Sequence, residues 1–303
     1  MPNAKSNNIN IWYEAFGQPN NPTLLLIMGG CCQGIMWPTE FCEKLAAAGF
    51  FVIRYDHRDT GFSTCFNYAE HSYNLFDMML DALGLLNTLN VNKFHVVGLS
   101  MGGPIAELLA VHCPERTLSI TLIATSTNFR PMNLAYAGMD PEPNSLSSPL
   151  PIYLNWIKKF VLTPPKNELE NLEFRVEGWR ILNGNKIPFA EKRNREMHQE
   201  FLNRVRYPKS ITNHVSVCKI SEEIVKFLPS QIRVPTVIFH GTEDPIFPPD
   251  HGAALAALIP HAKYFLVDGF GHMVNEYFYD LLITNIRSLR DSELHLTLPE
   301  RCF

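Results

Sequence analysis

The chain has 303 residues, 46% apolar and 18% charged, which supplies a sizeable core in one large domain or a core with an insertion and excludes a solvated, disordered polymer. Its formal net charge is −4, from 26 basic against 30 acidic residues, and without a long cationic block nucleic acid is excluded as the expected partner. The amino-terminal MPNAKSNNINIWYEAFG is polar where a secretory signal is apolar, and no run approaches the ~20 apolar residues of a transmembrane segment, so a cytoplasmic protein is expected.

In chain order, residues 23–28 form a short apolar run ending at Gly29 and Gly30, the pattern of a central strand buried on both faces. Residues 38–48 place Phe41, Leu45 and Ala48 at helical spacing, and Gly49 marks the stop. A strand over 50–55, a helix over 75–89, a strand over 93–98, a helix over 104–111 and a strand over 118–124 follow. This alternation predicts a mostly parallel central sheet with helices on both faces. From 126 to 231 the pattern becomes helical or irregular: Leu169, Leu172, Val176 and Trp179 share one helical face, as do Met197, Phe201 and Val205. The expected organisation is a core of 1–125 and 232–303 with a helical cap, 126–231, inserted before the strand at 234–239. A helix near 252–258, a strand over 264–267 and a helix from about 276 to 289 complete the core.

Strand 94–97 runs into Gly98-Leu99-Ser100-Met101-Gly102-Gly103 and then a helix, the context in which GxSxG lifts a nucleophile above a sheet on a sharp turn. A serine hydroxyl needs an imidazole to accept its proton, and the imidazole needs a carboxylate to fix its tautomer. His272, in Gly269-Phe270-Gly271-His272, and Asp244, in His240-Gly241-Thr242-Glu243-Asp244-Pro245, each follow a strand and share the sheet edge of Ser100. Glu243, Asp250 and Asp268 are the weaker acidic alternatives. The backbone N–H groups of Met101 and Gly30 are the expected oxyanion donors.

The seven cysteines (31, 32, 42, 65, 113, 218 and 302) are odd in number and lack ligand spacing, so reduced thiols are expected, with Cys31 or Cys32 lining the pocket and open to thiol reagents. Phe129, Trp156, Phe160, Phe174 and Trp179 read first as core of the insertion, with some lining a pocket. Lys192, Arg193, Arg195, Arg204 and Arg206, interleaved with Glu191, Glu196 and Glu200, read as a solvated helix face and not an anion site.

The segments MGG (28–30), IRYDHRDTGFST (53–64), VVGLSMGG (96–103), WRILNGNKIPFA (179–190), HGTEDPIFPPDHG (240–252) and GFGHM (269–273) together resemble an α/β-hydrolase of the capped esterase type, most closely the anthracycline (aclacinomycin) methylesterases. The resemblance spans almost the whole chain. It implies the α/β-hydrolase fold, Ser100 as nucleophile, His272 as base, Asp244 as its orienting acid, Gly30 and Met101 as oxyanion donors, and no metal or other cofactor. Asp56, Arg58 and Gly61 fall in a family segment that braces a loop. The expected reaction is hydrolysis of a small to medium apolar ester through an acyl-enzyme. The alternatives are amide or C–C hydrolysis or perhydrolysis on the same triad, or a non-catalytic protein that binds a small molecule in the capped pocket. None of these patterns specifies an oligomeric state.

Overall fold

Two strands absent from the sequence reading begin the fold, β1 (Asn3–Ser6) and β2 (Ile9–Phe16), paired antiparallel. Between them Asn7 and Asn8 both hold positive φ, 46° and 64°, which suits the tight turn of a two-residue hairpin. The computed structural model describes residues 3–259 and 261–297; the expectation for Cys302 lies outside these residues.

Six further strands run mutually parallel: β3 (Thr23–Ile27), β4 (Phe51–Tyr55), β5 (Phe94–Leu99), β6 (Thr117–Ile123), β7 (Thr236–Gly241) and β8 (Lys263–Val267). The sheet order is β1-β2-β4-β3-β5-β6-β7-β8, with β2 antiparallel to β4. Alternate residues of each central strand serve opposite cores, as the period of two requires. Leu25, Ile27, Ile53, Val96 and Ile238 join one core with helices α2 (Leu75–Thr88), α3 (Gly102–His112) and α10 (Pro249–Leu258). Leu24, Leu26, Val52, Val97 and Phe239 face the other, with α1 (Thr39–Ala47) and α11 (Tyr279–Thr297). Helix α2 starts at a capping box: Asn74 accepts from the Phe76 and Asp77 N–H groups while the Asp77 carboxylate takes the Asn74 N–H. The parallel sheet with helices on both faces is the α/β-hydrolase architecture expected from the sequence.

Between β6 and β7 the chain leaves the sheet for α4 (Arg130–Tyr136), α5 (Pro151–Leu162), α6 (Glu168–Asn183), α7 (Glu191–Asn203), α8 (Asn213–Ile220) and α9 (Glu222–Phe227). Two expectations about this segment are corrected. Leu172 and Val176 are buried, but Leu169, on the first turn of α6, is 66% exposed. The basic cluster is not one solvated face, because α7 ends at Asn203 and the chain beyond it turns inward. Arg204 is buried, bonds Asp56 at 2.7 Å and Gln33 Oε1 at 2.9 Å, and lies over the rings of Trp12 and Phe62. Arg206 donates to the Gly61 and Ser63 carbonyls. Asp56 also accepts the Gly34 and Phe62 N–H groups, so this carboxylate ties together the loops after β3 and β4 and the chain following α7.

Candidate active site

The strand β5 ends at Leu99 and α3 starts at Gly102, so the chain reverses through Ser100 and Met101. Ser100 holds φ of 53°, a left-handed conformation that non-glycine residues rarely adopt. The turn is over-determined: the Ser100 N–H donates to the Ile123 carbonyl at 3.0 Å, and the Ser100 carbonyl accepts from the Gly103 N–H and the Thr125 hydroxyl, both at 2.8 Å. A Cβ at Gly98 would collide with the Gly102 carbonyl, and one at Gly102 with the Ile27 carbonyl. Both flanking glycines are thus required for strand and helix to pass.

Asp244 and His272 come together, each just past the carboxyl end of its strand, and His272 lines the same cavity as Ser100. His272 Nδ1 lies 2.8 and 2.9 Å from the two Asp244 oxygens. The carboxylate also accepts the Ile246 and Phe247 N–H groups at 2.9 Å. Burial works against the Asp244 charge, but the attraction and hydrogen bond of His272, the nearby His240 and the Phe247 N–H outweigh it and hold the carboxyl below its usual range. With Nδ1 committed to the carboxylate, Nε2 of His272 is the nitrogen left for chemistry. The other acids point elsewhere: Glu243 accepts the Asn185 N–H, Asp250 the Ser147 N–H, and Asp268 is exposed beside Lys186 and Thr242.

The loop after β3 approaches the same turn. A Cβ on Gly29 would sit 3.2 Å from Ser100 Cβ, and one on Gly30 3.3 Å from Met101 Sδ. Among the described residues neither the Gly30 nor the Met101 N–H is taken up by a protein acceptor, whereas the next N–H, Cys31, donates to His214 Nδ1 at 2.9 Å. Two histidines absent from the sequence reading fix this loop. His57 Nε2 reaches the Met28 carbonyl at 2.8 Å, His214 Nε2 reaches the Arg58 carbonyl at 2.9 Å, and the two rings meet edge to face. Burial, the neighbouring imidazole and Arg58 pull the His57 pKa down to about 3; burial pulls that of His214 down to about 4. Both rings are therefore neutral at pH 7, and His214 is the tautomer with its proton on Nε2. Their location in the YDHRDTG segment and on α8 was readable; that they grip the Met28–Cys31 backbone from two sides was not.

These groups border a cavity of about 520 Å³ lined by Ser100, His272, Gly30, Met101, Cys31 and Cys32, with helices of the inserted segment closing the far side. Its wall is mostly apolar. All five aromatics singled out from the sequence line it, and three brace one another, Phe174 meeting Trp156 at 4.6 Å and Phe160 at 5.2 Å between ring centroids, while Phe129 stacks on Phe247 at 5.7 Å. Cys31 and Cys32 reach the wall as expected, but burial pushes their thiols up to about 11 and about 12. Among the described residues no three His, Cys, Asp or Glu side chains are arranged to hold a metal ion.

Fold, turn and ion-pair geometry together describe a hydrolase, and comparison with known proteins agrees. Residues 19–276 match the family model Hydrolase_4, described as serine aminopeptidase, S33; the chain belongs to this family of α/β-hydrolases and is an ester-hydrolysing enzyme. It is 36% identical over 269 residues to rhodomycin D methylesterase DauP of Streptomyces sp. (strain C5), and 35% identical over 269 residues to rhodomycin D methylesterase DnrP of Streptomyces peucetius, in each case over 87% of this chain and 89% of the relative. These matches bear out the methylesterase resemblance. Among solved structures, the 2-hydroxy-6-oxo-6-phenylhexa-2,4-dienoate hydrolase from Rhodococcus sp. strain RHA1 superimposes with a TM-score of 0.75 at 19% identity, covering 95% of this chain and 97% of that one. The enol-lactonase from Burkholderia xenovorans LB400 gives 0.69 at 20% identity, covering 96% of this chain and all of the other. At such identities the likeness is one of fold.

Proposed function

We propose that the protein is a serine carboxylesterase in which Ser100, His272 and Asp244 form the catalytic triad, Gly30 and Met101 supply the oxyanion donors, and residues 126–231 cap a core made of 1–125 and 232–303. The observation that carries this reading is the buried His272–Asp244 pair opening onto the same cavity as a serine held at φ of 53°. Ser100 Oγ attacks the ester carbonyl as His272 Nε2 takes its proton; the oxyanion lies between the two uncommitted N–H groups. His272 returns the proton to the leaving alcohol, and a water molecule, deprotonated by the same nitrogen, then releases the acid and regenerates Ser100. Asp244 stays ionised, which suits stabilisation of the imidazolium. Pre-placing these groups removes much of the entropic barrier to attack.

The substrate we assign is an ester with a largely apolar body, in keeping with the aromatic lining and a volume within the range of small-molecule sites. The methylesterase names of the relatives favour a small leaving alcohol. Six unpaired cysteines among the described residues, and no described helix long and apolar enough to cross a membrane, are in keeping with a cytoplasmic setting.

The test is hydrolysis of p-nitrophenyl butyrate together with fluorophosphonate labelling. Wild type should turn over the ester and label at Ser100. Ser100→Ala should fold normally, escape labelling and lose about 10⁶-fold in kcat, and His272→Ala should label far more slowly. Full hydrolysis by Ser100→Ala would sink the assignment, and a wild type that neither labels nor turns over would favour a binding protein.

A further inference from the structure

One arginine in this cavity has no counter-charge. The other buried or half-buried arginines all have polar partners: Arg54 pairs with Glu14, Arg58 with Asp81, Arg193 with Glu40 and Glu276, Arg195 with Glu173, Arg204 with Asp56 and Arg290 with Asp291, while Arg116 donates to the Asn92 and Val91 carbonyls and to Asn87 Oδ1. Arg175, on α6, lines the cavity with no ion pair and no hydrogen bond to any described residue, and its Nε is fully shielded from solvent without a partner. Its guanidinium carbon lies 4.1 Å from the centroid of the Phe201 ring, a cation–π contact that favours this placement of the head group. Burial disfavours the charge. An unanswered guanidinium in an apolar wall is expensive to keep unless something that binds there answers it.

Two neighbours on the facing helix α7 share the feature. Asn194 also lines the cavity, and its Oδ1 is buried without a partner although its amide N–H donates to the Ala190 carbonyl. His198, one turn further along α7, is 1% exposed, stands edge-on to Trp179 and has neither ring nitrogen partnered. Arg175 lies close enough to help hold that ring neutral. Unsatisfied polar atoms are rare inside folded proteins, and here those of three side chains gather along the α6–α7 contact behind one wall of the site.

From this we infer that Arg175 is a specificity-determining residue which binds an acidic oxygen, a carboxylate in the simplest case, on the part of the ester remote from the scissile bond. The inference rests on the ester-hydrolase reading and refines it: the substrate has an apolar body carrying one anionic end. It departs from the expected apolar ester only in adding an anionic end, held by Arg175 of α6 and not by the basic cluster of 192–206. A guanidinium offers planar, paired N–H donors that match a carboxylate, and in a water-poor wall that match discriminates strongly against a neutral isostere.

The experiment compares p-nitrophenyl hexanoate with the mono-p-nitrophenyl esters of glutaric, adipic and suberic acid, in wild type, Arg175→Met and Arg175→Lys. Wild type should prefer one diacid half-ester over the neutral ester by about 10- to 100-fold in kcat/KM, the ratio expected for one buried, charged hydrogen-bonding pair. Arg175→Met should abolish the preference while hydrolysing hexanoate within about threefold of wild type, and Arg175→Lys should keep part of it. Loss of both activities in parallel, or an unchanged preference in Arg175→Met, overturns the inference. Binding is measured in addition by calorimetry with heptanoate and the uncharged 1-heptanol, neither of which can turn over. Heptanoate should bind wild type more tightly than heptanol, and Arg175→Met should lose that preference; equal binding to wild type overturns the inference even if no ester is hydrolysed. Absence of hydrolysis with the heptanoate preference intact would instead overturn the esterase reading alone.

Discussion

The backbone N–H of Cys31 donates to Nδ1 of His214 at 2.9 Å, a bond between residues 183 positions apart. It joins the loop after β3 to helix α8 of the inserted segment. Cys31 itself holds φ of 60°, so the loop stands in a conformation that its own sequence does not favour and that an external partner must secure. The partner must also be neutral, since a protonated imidazole has no lone pair to offer at Nδ1.

The first prediction follows from that bond. If Gly30 donates to the oxyanion, loosening the next residue should weaken transition-state stabilisation more than substrate binding. His214→Leu should lower kcat by about 10-fold or more with KM within about threefold. His214→Asn, whose side-chain oxygen can occupy the place of Nδ1, should recover most of kcat. Steady-state kinetics with melting temperatures for both variants make the check: equal losses in the two variants would mean that His214 serves packing alone.

A second prediction concerns acid stability and uses a histidine remote from the site. His95 on β5 is buried, bonds the Ser119 hydroxyl at 2.8 Å, and burial with the Arg290 charge lowers its pKa to about 4. In the unfolded chain it titrates near ~6.5. Below that value the unfolded state gains a proton that the folded state refuses, so stability is full above about pH 6.5 and falls as pH drops towards 4. The loss attributable to His95 should be up to about 3 kcal/mol. Urea unfolding of wild type and His95→Gln at pH 7.5 and 4.5 should show the wild type losing more; parallel losses would refute the assignment.

How much of this was legible beforehand depends on whether the signal is local. Gly98 and Gly102 bracket Ser100 because backbone crowds them within a few residues, and that pattern is written in the sequence. Asp244 and His272 were readable because each follows a strand-like run, buried throughout in β7 and half exposed at the sheet edge in β8. The hairpin of β1 and β2 escaped because β1 has four residues at the sheet edge and β2, though eight residues long, mixes polar and apolar side chains without strict alternation, while the paired asparagines at 7 and 8 were a usable turn signal. Arg204 looked like surface because its partner Asp56 lies 148 positions away. The isolation of Arg175 is the hardest case, since a missing partner is a property of the assembled wall and of no segment within it.

The pocket cysteines give a third prediction. Their position suggests sensitivity to thiol reagents, but the thiolate is the reacting form. Burial raises Cys31 from 9.0 to about 11 and Cys32 from 9.0 to about 12, Arg175 offsetting only part of it. At pH 7.5 the thiolate fraction of Cys31 is then about 100-fold below that of a free thiol. Iodoacetamide should inactivate the enzyme at most about 1% as fast as it alkylates free cysteine, and Cys31→Ala with Cys32→Ala should retain the chemical step. Rapid inactivation, protected by a substrate analogue and absent from Cys31→Ala, would contradict this.

The last prediction concerns Glu107, on the helix that follows the candidate nucleophile. It is wholly buried, both carboxyl oxygens lack partners among the described residues, and burial alone raises its pKa from 4.5 to about 8. The folded protein therefore keeps a neutral acid across the physiological range while the unfolded chain ionises near ~4.5. The sign is opposite to that of His95: the favourable balance is complete below about pH 4.5 and is lost as pH rises towards 8, by up to roughly 4 to 5 kcal/mol. Methionine has similar volume and no charge to desolvate, so Glu107→Met should stabilise the fold by about 1 to 3 kcal/mol at pH 8 and by much less at pH 5. Denaturant midpoints at the two pH values decide the matter. A variant less stable than wild type at pH 8 would mean that the carboxyl has a partner in solution, and equal gains at both pH values would mean that it titrates normally.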